Sequence, residues 1–155
     1  MKIIHTALYS AGVDDSTALD DLARLVRRAS QELDRAIATC LGEATVGRWH
    51  VLNAVTAAEG LSMSQLVDAT LLNSATLTRL IDAMIADNLV HRKVDDSDRR
   101  RVLVFSTRRG LLTHRVMSEA LTASGLTEIA STTAETTKSL AALVDRIAAR
   151  EPAAL

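Results

Sequence analysis

The chain has 155 residues and a formal net charge of −1, from 18 basic and 19 acidic side chains. This length suits one domain or one compact subunit, and the near-neutral charge excludes a simple polycation, so a role with nucleic acid requires a local basic patch. Apolar residues make up 48% and charged residues 24% of the chain, which excludes wholesale disorder, and the single cysteine excludes an intramolecular disulfide framework.

A long amphipathic pattern follows the turn-forming residues between Gly12 and Ser16. Apolar residues recur at spacings of three and four with charged residues between them, which predicts one long helix that ends near Gly42. Such a helix cannot bury its own apolar stripe, so it must pack on the rest of the chain or on another subunit. The stripe consists of Leu19, Leu22, Val26, Ala29, Leu33, Ile37 and Leu41.

The next two helices are predicted from their terminal signals. Thr45 can cap a helix that runs to about Ala58, after which Gly60 serves as the helix-ending glycine. Ser62 and Gln65 have the spacing of a capping box, in which each side chain accepts a hydrogen bond from the other residue's backbone amide. This signal predicts a short helix over residues 63–69.

A further helix begins at Asn73 or Ser74, and Asn88 suits the left-handed position after its last turn. Together with the preceding short helix it predicts a helix-turn-helix over residues 62–87. In this motif the second helix enters the major groove of DNA, where its N-terminal side chains reach base edges. Serine, threonine and arginine can contact bases or phosphates, and this end of the helix offers Ser74, Thr76, Thr78 and Arg79. Its buried stripe is predicted to be Leu77, Leu80, Ile81, Met84 and Ile85.

The residues after Asn88 predict a β-hairpin. Residues 89–94 have a β-like pattern, residues 101–106 alternate and are rich in β-branched and aromatic side chains, and the acidic residues between them have a turn composition. A basic hairpin directly after a helix-turn-helix is a wing. We expect Arg99 and Arg100 at its tip to reach a minor groove, because narrow minor grooves attract arginine, and Asp98 to orient a neighbouring guanidinium by ion pairing.

Positive charge is concentrated around this hairpin. Residues 88–115 carry eight basic and three acidic side chains, a net charge of +5, whereas the remainder carries ten and sixteen, a net charge of −6. A basic patch on an acidic body is typical of a protein that binds the phosphate backbone of DNA. The alternative is a hairpin whose charges serve only solubility, and the adjacent helix-turn-helix favours DNA binding.

Two helices are predicted after the hairpin. Thr107 can cap the first, and Ser124 and Gly125 break it. The second is predicted as one continuous helix over about residues 127–149, with apolar residues Ile129, Leu140, Leu143, Val144 and Ile147. One proline and many alanine and leucine residues agree with a mainly α protein.

At this level of detail the chain resembles the MarR family of winged helix-turn-helix regulators. The resemblance covers roughly residues 45–115, and it departs from the family pattern in two places. Asn88 stands where a glycine is usual, which a left-handed asparagine can accommodate, and the wing lacks the common proline before its acidic tip. The segments that carry the resemblance are residues 46–52, 61–67, 74–81, 88–92 and 95–104.

The resemblance implies a single subunit, residues 1–155, that forms a homodimer. Residues 45–115 would form the winged helix-turn-helix, and residues 1–44 and 116–155 a helical dimerisation region. The family resemblance also implies binding to pseudo-palindromic operators in double-stranded DNA, usually as a repressor. In many members a small, often phenolic or anionic effector binds between the two regions and weakens DNA binding. Placement alone points to Arg48, Trp49, His50 and Arg115 as its contacts.

Two other functions remain open. The chain could be a helical protein-interaction module whose winged helix no longer binds DNA, although the intact Asp98-Arg99-Arg100 tip favours DNA binding. It could also be a redox-responsive regulator that senses through Cys40. The position of Cys40 close to the apolar stripe of the first helix favours a buried structural cysteine instead.

The sequence carries no signature of catalysis or metal binding. It contains no nucleophile elbow, glycine-rich phosphate loop or paired-carboxylate motif, so we do not expect an enzyme. His5, His50, His91 and His114 lack the spacing of metal ligands, so we expect neither a metal nor a cofactor. No apolar run approaches the roughly 20 residues of a membrane span, and we expect a soluble, cytoplasmic protein without a membrane partner.

Overall fold

The computed structural model describes residues 15–58, 60–95 and 97–150. Contacts between residues divide the chain into two compact units, Met1–Ala36 and Ile37–Leu155. No helix in the described ranges combines the length and the apolar character needed to cross a membrane. In chain order the elements are α1 (Asp15–Leu41), α2 (Glu43–Ala57), β1 (Leu61–Ser62), α3 (Met63–Thr70), α4 (Ser74–Ala86), β2 (Val90–Val94), β3 (Val102–Ser106), α5 (Arg108–Ala123), α6 (Leu126–Thr132) and α7 (Ala134–Ala148).

The strands form one antiparallel sheet in the order β1-β3-β2. The predicted hairpin is present as β2 and β3, with Val90 opposite Ser106 and Val94 opposite Val102. Sequence patterning did not predict β1, which pairs Leu61 with Val104. A two-residue strand is too short to carry a period, and its existence depends on a partner about forty residues away in the chain.

The core of the second unit lies between α2, α3, α4, the sheet and α5. The predicted buried stripe of α4 is confirmed, since Leu77, Ile81 and Met84 are fully buried and Leu80 and Ile85 pack against the same cluster. Burying these apolar faces supplies the main stabilisation of the unit. The other members of the core cluster are Val51, Leu52, Val55, Leu66, Leu89, Val90, Val104 and Met117.

Two predicted N-terminal helix caps and the predicted start of α4 are confirmed. Ser62 and Gln65 form both hydrogen bonds of a capping box at the start of α3. Asn73 accepts a hydrogen bond from the backbone N–H of Thr76 at 2.8 Å and thereby caps α4. Thr107 caps α5. At the other end of α4, Asn88 adopts the predicted left-handed conformation, with φ 56°.

The predicted end of α2 near Ala58 is confirmed, but its predicted start and the predicted role of Gly60 were wrong. The helix begins at Glu43, before Thr45, and its N-cap residue is Gly42. It ends at Ala57, and the next residue is already extended, so Gly60 is not its C-cap. Gly60 has φ +90°, and a Cβ there would lie 2.5 Å from the Phe105 ring. Close approach of the sheet, rather than helix termination, therefore requires glycine at this position.

The single C-terminal helix that was predicted is in fact two helices, α6 and α7, divided at Thr133. Threonine hydroxyls donate to carbonyls one turn earlier, from Thr132 to Glu128 at 3.0 Å and from Thr133 to Ile129 at 2.9 Å. Such side-chain bonds compete with the helical ladder and bend it. The threonine-rich composition of this stretch is thus the local reason for the break.

Several helices present apolar side chains to solvent. No residue of α6 or α7 is buried. An amphipathic helix is stable only when its apolar stripe is covered, so these stripes mark surfaces for a further partner. The exposed residues are Leu19, Leu22, Leu25, Val26 and Leu33 on α1, Leu111, Leu112 and Val116 on α5, and Ile129, Leu140, Val144 and Ile147 on α6 and α7.

Leu71, which ends α3, is expected to destabilise the fold. It adopts φ 55° and is 89% exposed, so it suffers left-handed strain of about 1–2 kcal/mol without a packing contact in return. We expect Leu71→Gly to raise the melting temperature by a few degrees, because glycine's extra entropy of roughly 0.5–1 kcal/mol only partly offsets the relief. Thermal unfolding by circular dichroism measures this. Leu71→Ala keeps the strain and should give no gain, and equal melting temperatures for the two variants would contradict the prediction.

Candidate nucleic-acid interface

The N-terminal end of α4 presents the four side chains predicted to read bases. Ser74, Thr76, Thr78 and Arg79 are all exposed, because the buried stripe holds the opposite face of the helix against the core. The Thr78 hydroxyl donates to the Ser74 carbonyl at 2.9 Å. Thr78 therefore offers a methyl group and an acceptor oxygen, while Arg79 makes no hydrogen bond or ion pair with the described residues.

The wing tip is closed by backbone hydrogen bonds. Asp95 N–H donates to the Arg101 carbonyl at 2.9 Å, and Arg101 N–H donates to the Asp98 carbonyl at 2.9 Å. The predicted ion pair of Asp98 is not formed: its carboxylate accepts a hydrogen bond from the backbone N–H of Arg100 at 3.0 Å. Asp98 thus shapes the turn, and within the described ranges the guanidinium groups of Arg99 and Arg100 have no partner.

Asp95 holds the base of the wing tip. Its Oδ1 accepts hydrogen bonds from the hydroxyl and the N–H of Ser97 at 2.7 and 2.9 Å, and its Oδ2 lies 3.8 Å from Arg101 Nη1. The Ser97 hydroxyl, followed by the Ser97 N–H and Arg101, lowers the pKa of Asp95 below its ordinary value. The ionised carboxylate therefore engages Arg101 in the wing itself.

Ion pairs between elements orient the wing and α4, the recognition helix that is predicted to enter the major groove. Arg92 Nη2 of β2 lies 2.9 Å from Asp82 Oδ1 of α4. Arg48 Nη2 of α2 lies 2.6 Å from Asp87 Oδ2, which follows the last turn of α4. Sequence reasoning missed both pairs, although the alternation that buries Val90 also places Arg92 on the face turned toward the helices.

Thr107 joins the end of the recognition helix to α5. Its hydroxyl donates to the Asn88 carbonyl at 2.6 Å and lies 3.1 Å from the Leu89 carbonyl, while accepting a hydrogen bond from Gly110 N–H at 3.0 Å. Its own N–H donates to the Leu89 carbonyl at 3.0 Å. One residue therefore satisfies both the carbonyls after α4 and the N-terminus of α5.

The four predicted effector contacts are only partly brought together. Trp49 and His50 meet edge to face, with ring centroids 4.9 Å apart, and Trp49 packs half-buried against the core. The indole N–H of Trp49 is buried without a hydrogen-bond acceptor among the described residues. Arg48 is engaged by Asp87, and Arg115 is exposed on α5.

Cys40, the candidate redox residue, is half-buried near the end of α1. The described ranges contain no group of three or more His, Cys, Asp or Glu side chains that could hold a metal ion.

Comparison with known proteins identifies relatives of this arrangement. Residues 45–101, which contain α3, α4 and most of the wing, match the family model described as MarR family. The HTH-type transcriptional regulator TtmR of Methylorubrum extorquens (strain PA1) is 32% identical over 108 residues, which are 68% of this chain and 55% of that protein. The chain therefore spans about half the length of this curated relative.

Two solved structures share the fold over most of both chains. The PcaV transcriptional regulator of Streptomyces coelicolor, in complex with its natural ligand, is 27% identical with a TM-score of 0.62, over 89% of this chain and 96% of that one. A cysteine-to-serine mutant of MarR from E. coli, complexed with operator DNA, is 22% identical with a TM-score of 0.66, over 87% and 99%. Because the family match falls on the winged helix-turn-helix itself, and the sequence of TtmR agrees with it, the winged helix-turn-helix of residues 45–101 belongs to the MarR family.

Proposed function

We propose that the protein is a sequence-specific, DNA-binding transcriptional regulator, acting as a homodimeric repressor that a small molecule releases. It is a regulator rather than an enzyme. Its ligands would be a pseudo-palindromic operator in double-stranded DNA and an aromatic or anionic effector. A repressor acts in the compartment of the chromosome, which agrees with the predicted cytoplasmic location.

The observation that carries this proposal is a set of unpaired cations on two elements that an ion pair connects. The guanidinium groups of Arg79 on α4 and of Arg99 and Arg100 on the wing make no hydrogen bond or ion pair in the described ranges, while the ion pair of Arg92 with Asp82 connects β2 to α4. Free guanidinium groups bind guanine edges and phosphates well because they donate several hydrogen bonds in a fixed plane. In this proposal Ser74, Thr76, Thr78 and Arg79 read the major groove, and Arg99 and Arg100 enter the minor groove, with Asp98 shaping the tip.

Dimerisation is supported by the exposed apolar stripes of α1, α6 and α7. A monomer leaves Ile129, Val144 and Ile147 largely in contact with water, whereas a second copy would cover them. Two copies related by a two-fold axis would also present two recognition helices to a palindromic site.

An effector site near Trp49 is supported by the buried indole N–H that lacks an acceptor among the described residues. A buried donor without a partner is costly, so a ligand carboxylate or phenolate oxygen there would gain a hydrogen bond. The structural neighbour PcaV is in complex with its natural ligand. In this proposal His50 and Arg115 also contact the effector, and Arg48 exchanges Asp87 for it.

The proposed function is tested by fluorescence anisotropy over a salt series. The duplex upstream of the protein's own gene and a scrambled duplex of the same composition serve as probes. We expect tighter binding to the first, with log affinity falling steeply against log salt concentration, because several phosphate contacts release counterions. Weak binding to both duplexes that is also insensitive to salt would contradict DNA binding and favour the interaction module.

Arg79→Ala is expected to reduce discrimination between bases. A bidentate arginine–guanine contact contributes about 1–3 kcal/mol against a wrong base pair, so the variant should lose affinity for the operator but little for a duplex changed at that base pair. Competition with single-base-pair operator variants measures this. Ala86→Ser, a change at an exposed residue at the other end of α4, serves as a control and should bind the duplexes as the parent protein does. An equal loss on all duplexes would instead make Arg79 a phosphate contact.

A further inference from the structure

Two valines near the wing tip are exposed at directly opposed positions of the hairpin. Val94 and Val102 are partners across β2 and β3, and they are 48% and 46% exposed. Cross-strand packing between two β-branched residues stabilises a hairpin, but this packing leaves about half of each side chain in contact with water. The pair is therefore an apolar surface with room for a further contact.

The valine pair lies on the face of the wing that turns toward the recognition helix. Side chains alternate along a strand, so Val94 and Val102 share a face with Arg92 and Val104, two positions nearer the base of the hairpin. Val104 is fully buried, and Arg92 forms the ion pair with Asp82 of α4. The valines lie about 7 Å further out along the strands, where neither α4 nor the core covers them.

The surroundings of the valine pair are positively charged. Arg99 and Arg100 follow on the wing tip and Arg79 lies on the exposed face of α4, all unpaired within the described ranges. Among the described carboxylates of α4 and the wing, Asp82 is paired with Arg92 and Asp95 with Arg101, while Asp98 accepts a hydrogen bond from the backbone N–H of Arg100. An apolar patch rimmed by free cations matches a nucleic-acid backbone, in which apolar sugar faces alternate with phosphates, better than a neutral protein surface.

We propose that Val94 and Val102 pack against deoxyribose rings of the DNA strand that runs between the recognition helix and the wing tip. This inference rests on the proposed function, since it needs α4 in a major groove and the wing tip in the adjacent minor groove. The valines then contribute an apolar, charge-independent part of the affinity, and the flanking arginines contribute the ionic part.

The test is the double variant Val94→Thr, Val102→Thr, with binding measured on the same two duplexes and over the same salt series as above. Threonine keeps the shape and strand preference of valine and replaces one methyl group by a hydroxyl. Removing one methyl from an apolar contact costs about fourfold in affinity, so two per subunit should raise the Kd about tenfold or more. The slope of log affinity against log salt should stay unchanged, because no charge is removed, and the melting temperature should also stay unchanged.

The matched control is Thr56→Val, which exchanges the same two side chains at an exposed residue of α2 and should leave the Kd unchanged. A double variant with the Kd of the parent protein overturns the inference, as does an equal loss in the control or a loss that follows a lowered melting temperature. A change in oligomeric mass with unchanged DNA affinity overturns it too, since a second copy would then cover the valines. If the parent protein itself shows no salt-dependent DNA binding, that result contradicts the proposed function, on which this inference rests.

Discussion

Gly110→Ala should strongly destabilise the protein, by about 3 kcal/mol or more, at the upper end of what overpacking a core costs. Gly110 is buried in the first turn of α5, and a Cβ there would overlap the Leu89 carbonyl oxygen and lie 2.7 Å from Ser106 Oγ. The obstacle is largely backbone, so it cannot move aside by changing a rotamer. The N–H and the hydroxyl of Thr107 hold this carbonyl in place. Moving Leu89 away from the new Cβ would therefore break the hydrogen bonds that connect the end of α4 to α5.

Urea unfolding at a fixed protein concentration measures the effect of Gly110→Ala. Gly47→Ala is the matched control, because Gly47 also lies inside a helix but a Cβ there would meet only the end of the Leu80 side chain, at 3.1 Å. We expect the control to change the unfolding free energy by less than about 1 kcal/mol. Equal stabilities for the two variants would show that the approach of α5 to Leu89 does not need glycine.

Arg100→Ala should weaken operator binding by about a hundredfold or more while leaving the melting temperature nearly unchanged. Hydrogen bonds to a charged group contribute about 1.5–3 kcal/mol each, and both wings of the proposed dimer lose one such side chain. The fold should tolerate the change because the guanidinium has no protein partner in the described ranges. The hydrogen bond from Arg100 to Asp98 uses the backbone N–H, which alanine keeps.

Anisotropy titration against the operator, with a thermal melt of the same sample, measures both quantities for Arg100→Ala. Arg101→Ala is the control that removes the same charge one residue further on. Arg101 is engaged by Asp95, so its loss should weaken binding much less. If the two variants bind equally well, the wing acts through net charge alone, and the assignment of Arg100 to the groove is wrong.

The sequence predicted which side chains of the candidate interface are exposed, but it did not predict the contacts between them. The exposed N-terminal face of α4 followed from the spacing of its buried residues, since one face of a helix determines the other. The role of Asp98 was mistaken because a carboxylate beside arginines has backbone N–H groups equally near. Which donor it accepts from depends on the conformation of the turn. The Arg92–Asp82 and Arg48–Asp87 pairs join different elements, so the spacing of residues within one element does not predict them.

Sequence alone determined the features of this protein that depend on neighbours within about one helical turn or one strand pair. The Ser62–Gln65 capping box, the Asn73 and Thr107 caps, the stripe of α4 and the hairpin belong here, because propensity, periodicity and capping act over a few residues. Tertiary structure decided the features that need contacts between distant segments. β1 exists because β3 pairs with it, and Gly60 and Gly110 are required because Phe105 and Leu89 approach them closely. Such contacts depend on how whole elements pack, which no short stretch of chain encodes.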